Sequence, residues 1–252
     1  MSKHVPTVPI FGIPFSKLSM DETVSYLTQA IEEGQLTHVI TANPIMVMAA
    51  LDNPAFARTM RRADLIVPDG AGVVWAAKVG GNPVAERVTG FDLMHRLLAE
   101  GEKRRWTAYL LGTTQEIIEA AAEKLQLQYP QVRIVGYRNG FFGPADDEAI
   151  VEEIRGLKPH LLFVARGMDK EEWNAAYKQR LGVPFIMGVG GSFDVVSGKL
   201  KRAPEVYQKL KLEWLYRLLQ EPARYKRMLA LPKFVVKVLR NKENVTKPRP
   251  ES

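Results

Sequence analysis

Short apolar runs alternate with longer segments of helical periodicity along most of this chain. The short runs show no polar alternation, which is typical of strands that are buried on both faces of a sheet. The six predicted strands are His38–Thr41, Asp64–Val67, Thr107–Leu111, Val132–Tyr137, His160–Ala165 and Pro184–Val189. The predicted helices include Pro44–Arg61, Gln115–Gln128, Asp146–Gly156 and Asp169–Arg180. Together they predict an α/β fold in which helices cover both faces of a mostly parallel sheet.

Both ends of the chain depart from this alternation. Near the N-terminus, VPIFGIPFSKLS predicts an edge strand or hairpin outside the parallel array. After about Leu200, apolar residues recur every four positions, at Val206, Leu210, Trp214 and Leu218. A second helix is expected to begin at Pro232, a residue suited to the first helical position. Its apolar face consists of Phe234, Val235, Val238 and Leu239, and residues 241–252 are expected to be frayed.

The charge is divided unevenly along the chain. Residues 1–198 carry 20 Lys and Arg and 23 Asp and Glu, a net charge of −3, whereas residues 199–252 carry 15 and 5, a net charge of +10. This division predicts a catalytic domain over residues 1–199 and a basic appendage over residues 200–252. A basic segment favours nucleic acid, an anionic membrane or a phosphorylated ligand as partner. Two basic amphipathic helices in succession favour the membrane surface, and their apolar periodicity favours a membrane or docking on the body over nucleic acid.

Composition excludes some kinds of chemical site and limits the expected cellular location. The chain has no cysteine, so a disulfide framework and a cysteine-based metal site or nucleophile are excluded. It shows no secretory signal and no apolar stretch near the ~18 residues of a spanning helix, so a cytoplasmic location is expected. The four histidines are scattered and no Asp-x-Asp pair occurs, which predicts no metal site. Whether the chain forms a homo-oligomer is left open by the sequence.

Polar and small residues follow the predicted strands, where open α/β sheets bind their ligands. Asp69 is either a general base or a helix N-cap, and Thr41 and Asn43 either bind a sugar or cap a helix. The loop containing Gly190 and Gly191 either cradles a phosphate or forms a tight turn. Asp194 either accepts a proton from a nucleoside or caps a helix, and Gly112 leaves room at another strand end.

Further candidates are an aromatic pair and four arginines. Phe141 and Phe142 are favoured as a buried loop anchor over a platform for stacking a base, and Phe141 is the candidate substrate contact of the pair. Arg87 forms a surface ion pair or a phosphate-binding fork. Arg217, Arg224 and Arg227 either lie on a solvated helix face or clamp a pyrophosphate.

Several of these segments occur together in one family. The stretches TANPIMVMAA, ADLIVPDGAGVVWAAKVGG, ERVTGFDLM, YLLGT, GVGGSFDVVSGKLKRAP and EWLYRLLQEPARYKR span about residue 8 to residue 230. In combination they resemble the WecG/TagA/CpsF glycosyltransferase family. The resemblance implies a Rossmann-like domain with a C-terminal appendage. It also implies inverting, metal-independent transfer without a cofactor, from a UDP-sugar to undecaprenyl-diphosphate-linked GlcNAc at the inner face of the plasma membrane. In one branch the donor is UDP-N-acetylmannosamine, and the product primes wall teichoic acid linkage.

The resemblance also implies roles for individual residues. Asp69 would be the base, and Thr41, Asn43 and Arg87 would line the substrate pocket. The loop of Gly190 and Gly191, with Asp194, would bind the nucleotide. Arg217, Arg224 and Arg227 would close the site and hold the lipid diphosphate.

One motif departs from the family pattern. The family usually has Gly-x-Pro-Lys-Gln-Glu after the fifth strand, whereas this chain has Asp169 for the proline and Glu171 for the glutamine. An amide both donates and accepts hydrogen bonds, but a carboxylate only accepts. Glu171, a candidate substrate contact, therefore leaves the donor open among UDP-ManNAc, UDP-ManNAcA, UDP-GlcA and UDP-Glc. In the last three cases the product would belong to exopolysaccharide or capsule synthesis.

Two other classes of protein remain as alternatives. A nucleic-acid-binding protein would account for the basic segment, and it predicts strongly salt-dependent binding. A nucleotide-binding dehydrogenase would account for the strand–helix alternation, but the chain lacks the Gly-x-Gly-x-x-Gly spacing after its first strand.

Overall fold

The computed structural model describes residues 5–167 and 169–247. Its strands are β1 (Thr7–Ile10), β2 (Ile13–Ser16), β3 (Thr37–Ala42), β4 (Leu65–Pro68), β5 (Thr107–Gly112), β6 (Arg133–Arg138), β7 (Leu161–Ala165) and β8 (Phe185–Gly188). Six of them form one parallel sheet in the order β4-β3-β8-β7-β5-β6. All six strands predicted from the apolar runs are confirmed, with ends that differ by one residue at most.

Helices connect the strands and continue into the appendage. The first nine are α1 (Met20–Glu32), α2 (Pro44–Asp52), α3 (Pro54–Arg61), α4 (Ala71–Val79), α5 (Gly90–Arg104), α6 (Gln115–Gln128), α7 (Pro144–Leu157), α8 (Lys170–Leu181) and α9 (Ser192–Ser197). The appendage contains α10 (Glu205–Lys209), α11 (Glu213–Gln220), α12 (Tyr225–Met228) and α13 (Ala230–Arg240), with short 3-10 turns at Pro222–Arg224 and Lys242–Asn244. The predicted α/β class with a helical appendage is confirmed.

Consecutive strand residues pack on opposite faces of the sheet, because side chains alternate along a strand. Val39 belongs to a core with α1, α5 and α6, whereas its neighbour Ile40 belongs to a core with the hairpin, α2, α3 and α4. A third core lies under α7 and α8 on the same face as Ile40. Since both faces are covered, the strands carry no polar stripe, which explains their continuous apolar sequences.

The predicted helix over residues 44–61 is two helices. Asn53 ends α2, and its side-chain oxygen accepts hydrogen bonds from the amides of Ala55 (3.0 Å) and Phe56 (3.2 Å) at the start of α3. Pro54 has no amide hydrogen and cannot continue the hydrogen bonding of α2, but it fits the first turn of a new helix. Apolar periodicity continues across this junction and did not reveal it.

The N-terminal segment forms the hairpin that the sequence offered as one alternative. β1 and β2 pair antiparallel and separately from the parallel sheet. Phe11 and Gly12 between them have φ values of 50° and 86°, as a two-residue hairpin turn requires. The hairpin packs its apolar side chains into the core that contains Ile40.

The appendage differs from its prediction in two ways. Residues 206–218 do not form one helix, because the chain breaks between α10 and α11, where Lys211 adopts a φ of 61°. In α13, Phe234 and Val238 are buried against the body rather than facing a membrane, and Phe234 packs edge-on to Phe11 at 6.2 Å. The described contacts thus join α13 to a core of the body, and the division into a catalytic domain and an appendage stays a prediction.

The segment after α13 is tied to the body, contrary to the expected fraying. Val245 is buried, and its carbonyl oxygen accepts a hydrogen bond from the Phe11 amide at 2.8 Å. Thr246 donates its hydroxyl to the carbonyl of Gly80 at 2.7 Å. Residues 248–252 of the predicted frayed segment lie outside the described residues.

No helix in the described part of the chain has both the length and the apolar composition to cross a membrane. Of the thirteen large hydrophobic side chains that are exposed in the described residues, nine lie in the appendage. The appendage therefore has an apolar inner face that completes the core and exposed apolar side chains that no described residue covers.

We predict that Phe234→Ala lowers the free energy of unfolding by about 3–5 kcal/mol, because it leaves a cavity in a filled core. Val235→Ala is the matched control, since its side chain is 41% exposed on the same helix. It should change the free energy by less than about 0.5 kcal/mol. Urea unfolding of both variants checks this, and equal losses would show that α13 does not belong to the core.

Candidate functional site

β3 and β8 are neighbours in the sheet, and the space beyond their carboxyl ends is the crevice in which the candidate site is expected. The helices that follow them leave on opposite faces: α2 packs in the core with Ile40, and Phe193 of α9 packs in the core with Val39. A ligand site is expected where neighbouring connections diverge in this way. The candidate residues at the ends of β3, β4 and β8 therefore surround one crevice.

Asp69 lies immediately after β4 and is held on both sides. Its amide donates to the carbonyl of Ala42 at 2.9 Å, and its Oδ2 accepts from the amide of Gly90 at 3.2 Å. Its side chain does not cap α4, whose N-cap is Gly70 with no side-chain hydrogen bond. Asp69 therefore does not cap α4, the nearest helix. Its carboxylate instead accepts a hydrogen bond from an amide at the start of α5.

Burial raises the pKa of Asp69 to about 6. The hydrogen bond from the Gly90 amide and the charge of Arg87 lower the pKa, while the charges of Glu213 and Asp92 raise it further. Burial has the largest effect on this pKa, because the loss of hydration destabilises the charged carboxylate more than the Gly90 amide and Arg87 stabilise it. A carboxylate with a raised pKa is a stronger base than an ordinary aspartate and is still mostly ionised at neutral pH.

Thr41 and Asn43 lie at the end of β3, beside Asp69. The Thr41 side chain packs against Gly90, where an added Cβ would lie 2.9 Å from its Oγ1. Asn43 caps α2, since its Oδ1 accepts from the amides of Ile45 (2.9 Å) and Met46 (3.2 Å). The capping alternative for Asn43 is therefore correct, and contact of its amide nitrogen with a sugar stays a prediction.

Arg87 is brought to the crevice by the segment before α5, where the Val88 amide donates to the carbonyl of Pro68 at 3.0 Å. Its Nη2 donates to Oε1 of Glu213 at 2.7 Å. Glu213 belongs to α11, so this ion pair joins the body to the appendage. Sequence reasoning missed Glu213, because one glutamate in a basic segment carries no signal of a partner 126 residues away.

The loop after β8 meets the appendage on the other side of the crevice. The Arg217 guanidinium lies over Gly191, where an added Cβ would be 1.8 Å from Nη2. The same position would be 3.2 Å from Oδ2 of Asp194, so Arg217 and Asp194 are close together. Gly190 has a φ of 51° and open space around it. The structure thus brings Gly190, Gly191, Asp194 and Arg217 together.

Arg224 lies next to Arg217, and both contact Glu221. Nη1 of Arg224 donates to Oε2 of Glu221 at 2.9 Å, and Nε of Arg217 is 3.5 Å from the same oxygen. Burial and the charge of Arg224 lower the pKa of Arg217. Among residues 5–167 and 169–247, Nε of each arginine is buried and has no hydrogen-bond partner. Two cations therefore share one carboxylate, while Arg227 is exposed and lies apart from this cluster in the described contacts.

Gly112 and Phe141 lie at the far end of the sheet, near β7. Gly112 has a φ of 125°, and an added Cβ would lie 2.3 Å from the carbonyl oxygen of Ala165, so its glycine is required by backbone packing. Phe141 is 78% exposed, which contradicts the prediction of a buried anchor. Phe142 is the anchor instead, with the Arg166 guanidinium 4.3 Å from its ring and Trp173 against its edge.

Glu171 lies beneath the crevice and is only 1% exposed. Its Oε2 is 3.1 Å from Nε2 of His38, and its Oε1 is 3.4 Å from Nζ of Lys170. Burial alone would raise the pKa of Glu171, but the hydrogen bond from His38 and the charge of Lys170 together lower it. Each carboxylate oxygen thus has one partner within the body, and the contact of Glu171 with substrate stays a prediction.

The described residues, 5–167 and 169–247, contain no cluster of three or more His, Asp or Glu side chains arranged to hold a metal ion. Independence from metal ions stays a prediction. A further ion pair that the sequence did not indicate joins Arg202 to Asp92 of α5, with the Arg202 guanidinium 4.8 Å from the ring of Phe91. It fixes the start of the appendage to the helix that begins beside Asp69.

We predict that Asp69→Asn raises the free energy of unfolding at pH 8 by about 1–3 kcal/mol. The folded state binds the Asp69 proton more tightly than the unfolded state, so its ionisation opposes folding above about pH 6. The gain should shrink as the pH falls below about 6 and disappear near pH 3, below the ordinary aspartate pKa of about 3.9, where both states are protonated. Urea unfolding at both pH values checks this. Asp52→Asn, at an exposed position, should give no gain at pH 8.

Comparison with known proteins agrees with this geometry. The model of the Glycosyl transferase WecG/TagA/CpsF family matches residues 8–248. An N-acetylglucosaminyldiphosphoundecaprenol N-acetyl-beta-D-mannosaminyltransferase of Bacillus spizizenii is 34% identical over 96% of this chain and 94% of its own length. Proteins of the same name from Bacillus subtilis and Staphylococcus aureus are 32% and 34% identical, each over at least 95% of both chains. The chain therefore belongs to the WecG/TagA/CpsF family of glycosyltransferases.

Proposed function

We propose that this enzyme transfers N-acetylmannosamine from UDP-N-acetylmannosamine to undecaprenyl-diphosphate-linked GlcNAc. The observation that carries the proposal is Asp69, a half-buried carboxylate of raised pKa at the end of β4. Relatives whose names give this acceptor and this sugar align with nearly the whole chain. The product would serve as the linkage unit of wall teichoic acid.

The reaction needs one base and a stabilised leaving group. Asp69 takes the proton of the acceptor hydroxyl as its oxygen bonds to the anomeric carbon, and the bond from that carbon to UDP breaks. A single displacement inverts the anomeric configuration. General-base catalysis contributes ~10²–10⁴-fold, so positioning and charge stabilisation supply the rest. A glycosidase uses a second carboxylate as acid, whereas expulsion of UDP needs none.

The two sides of the crevice suit the two substrates. Thr41, Asn43 and Arg87 lie on the side of Asp69 and would contact the reacting sugars. Gly190, Gly191 and Asp194 would hold the nucleotide, next to Arg217 and Arg224, which are suited to bidentate binding of phosphate. Gly112 and the exposed ring of Phe141 lie farther along the same edge of the sheet. Arg227, which is exposed, would reach the lipid diphosphate only at the membrane.

The outer face of the appendage suits an anionic membrane surface. It combines exposed apolar side chains, such as Leu229, Val236 and Leu239, with the net charge of +10 after residue 198. Such a face binds by apolar burial in the interface and by attraction to anionic lipid. The enzyme would thus act as a peripheral protein at the inner face of the plasma membrane, where its acceptor is anchored.

The transfer itself is tested with a panel of UDP-sugars and a soluble analogue of lipid-linked GlcNAc, with EDTA present. We expect N-acetylmannosamine to be transferred, with the product identified by mass, and we expect Asp69→Asn to lower the rate by about 10²-fold or more. Transfer of a different sugar would assign the chain to another donor among UDP-ManNAcA, UDP-GlcA and UDP-Glc. A rate in Asp69→Asn above about a tenth of wild type would show that Asp69 is not the base.

Membrane docking is tested by sedimentation with anionic vesicles at low and high salt. Leu239→Glu removes an exposed apolar side chain from α13 and adds a negative charge, so we expect binding about five- to tenfold weaker. Leu127→Glu is the matched control, because Leu127 is an exposed leucine on α6 of the body. Equal sedimentation of the two variants would contradict docking through the appendage.

The diphosphate clamp is tested by changing Arg217, Arg224 and Arg227 together to Ala. Full activity of this triple variant would exclude the clamp.

A further inference from the structure

Helix α11 contributes opposite charges to the two sides of the crevice. Glu213 and Arg217 are four residues apart and therefore share one face of the helix. Glu213 reaches Arg87 on the side of Asp69, and Arg217 reaches Gly191 on the side of the nucleotide loop. The helix thus spans the crevice and is held at both sides by polar contacts.

The carboxylate of Glu213 occupies the anion-binding face of Arg87. Their atoms Oε1 and Nη2 are 2.7 Å apart, and both side chains are only partly exposed. Glu213 makes no capping bond at the start of α11, so the helix itself doesn't require its side chain to point towards the body. A guanidinium binds carboxylate and phosphate with the same fork of N–H groups, so the two anions compete for one position.

The neighbouring arginines point to a diphosphate as the competing anion. Arg217 and Arg224 each have a buried Nε without a hydrogen-bond partner, and both share the single carboxylate of Glu221. The crevice therefore holds a surplus of cationic donors on one side and a guanidinium with a replaceable partner on the other. A ligand with two phosphates, such as the diphosphate of either substrate, matches this arrangement.

We propose that Glu213 is a replaceable occupant of the diphosphate site at Arg87, so that an incoming diphosphate displaces Glu213 and frees that side of α11. This inference rests on the proposed function, because it assigns Arg87 to substrate. Binding of the diphosphate then includes the loss of the Arg87–Glu213 ion pair. The free energy lost with this ion pair weakens the binding of the diphosphate. The same competition couples substrate entry to the position of the appendage.

The probe is inorganic pyrophosphate, titrated calorimetrically into the full-length protein. Glu213→Gln removes the competing charge but keeps the side chain's size, and we expect it to bind pyrophosphate about two- to fivefold more tightly than wild type. Glu205→Gln is the matched control, since it removes the same charge from an exposed pair with Lys209 in α10. It should bind pyrophosphate as wild type does.

A second pair of variants isolates Arg87 from general electrostatics. Arg87→Ala and Arg87→Ala with Glu213→Gln should bind pyrophosphate equally, because the competition disappears with the guanidinium. Equal binding by wild type and Glu213→Gln, or the same gain without Arg87, would overturn the proposal. UDP and a short soluble isoprenyl diphosphate form two further arms, and the ligand whose affinity rises in Glu213→Gln identifies the diphosphate that reaches Arg87.

This test is separate from that of the proposed function. Failure of sugar transfer would remove the assignment of donor and acceptor, but a pyrophosphate affinity that depends on Glu213 only when Arg87 is present would still demonstrate the competition. Conversely, normal transfer with unchanged pyrophosphate affinity would retain the activity and reject the role of Glu213.

Discussion

Parallel pairing of six strands is the constraint on which the site depends. Since all six run in one direction, the chain must cross back between them, and every strand ends at the same edge of the sheet. Residues as distant in sequence as Thr41, Asp69 and Gly190 are neighbours for this reason. The middle of the sheet is covered on both faces and carries mostly apolar side chains, and the buried His38 is paired with Glu171. Polar chemistry is therefore confined to the ends of the strands, where helices begin and backbone amides are free to bind anions.

Burial disfavours the charged forms of Asp69 and Arg217, which lie on opposite sides of the crevice. It raises the pKa of Asp69, and together with the charge of Arg224 it lowers the pKa of Arg217. The appendage supplies part of this environment, because Glu213 adds negative charge near Asp69. Body and appendage thus form one electrostatic unit. A substrate with a diphosphate changes the electrostatic potential on both sides of the crevice at once. Its phosphates pair with the arginines on one side and take the place of the Glu213 carboxylate on the other.

The strands were predictable because apolar runs of four to six residues directly reflect burial on two faces. The break between α2 and α3 was less visible, since apolar periodicity continues through Asn53 and Pro54. The appendage was harder still. An apolar stripe that packs on a protein core looks the same in sequence as one that enters a membrane, and α13 divides its apolar residues between an inner and an outer face.

At the site, sequence position sufficed for Asp69 and the loop of Gly190, because both directly follow strands. It could not show that Phe142 rather than Phe141 is the anchored ring, since adjacent residues differ only in direction. Nor could it pair Arg87 with Glu213, because the contact arises only when the appendage folds back across the crevice. Local patterns thus identified groups that belong to strand ends, whereas contacts across long loops required the tertiary fold.

The hydrogen bond between Phe11 and Val245 joins the hairpin to a segment more than two hundred residues later. During synthesis the hairpin and β3 leave the ribosome long before α13, so their shared core lacks Phe234, Val238 and Val245 while most of the sheet is already assembled. Domains in which a late segment closes an early core expose apolar surface until that segment has been translated. We therefore expect chaperones to bind mainly those nascent chains of this protein in which β8 has been translated and α13 has not.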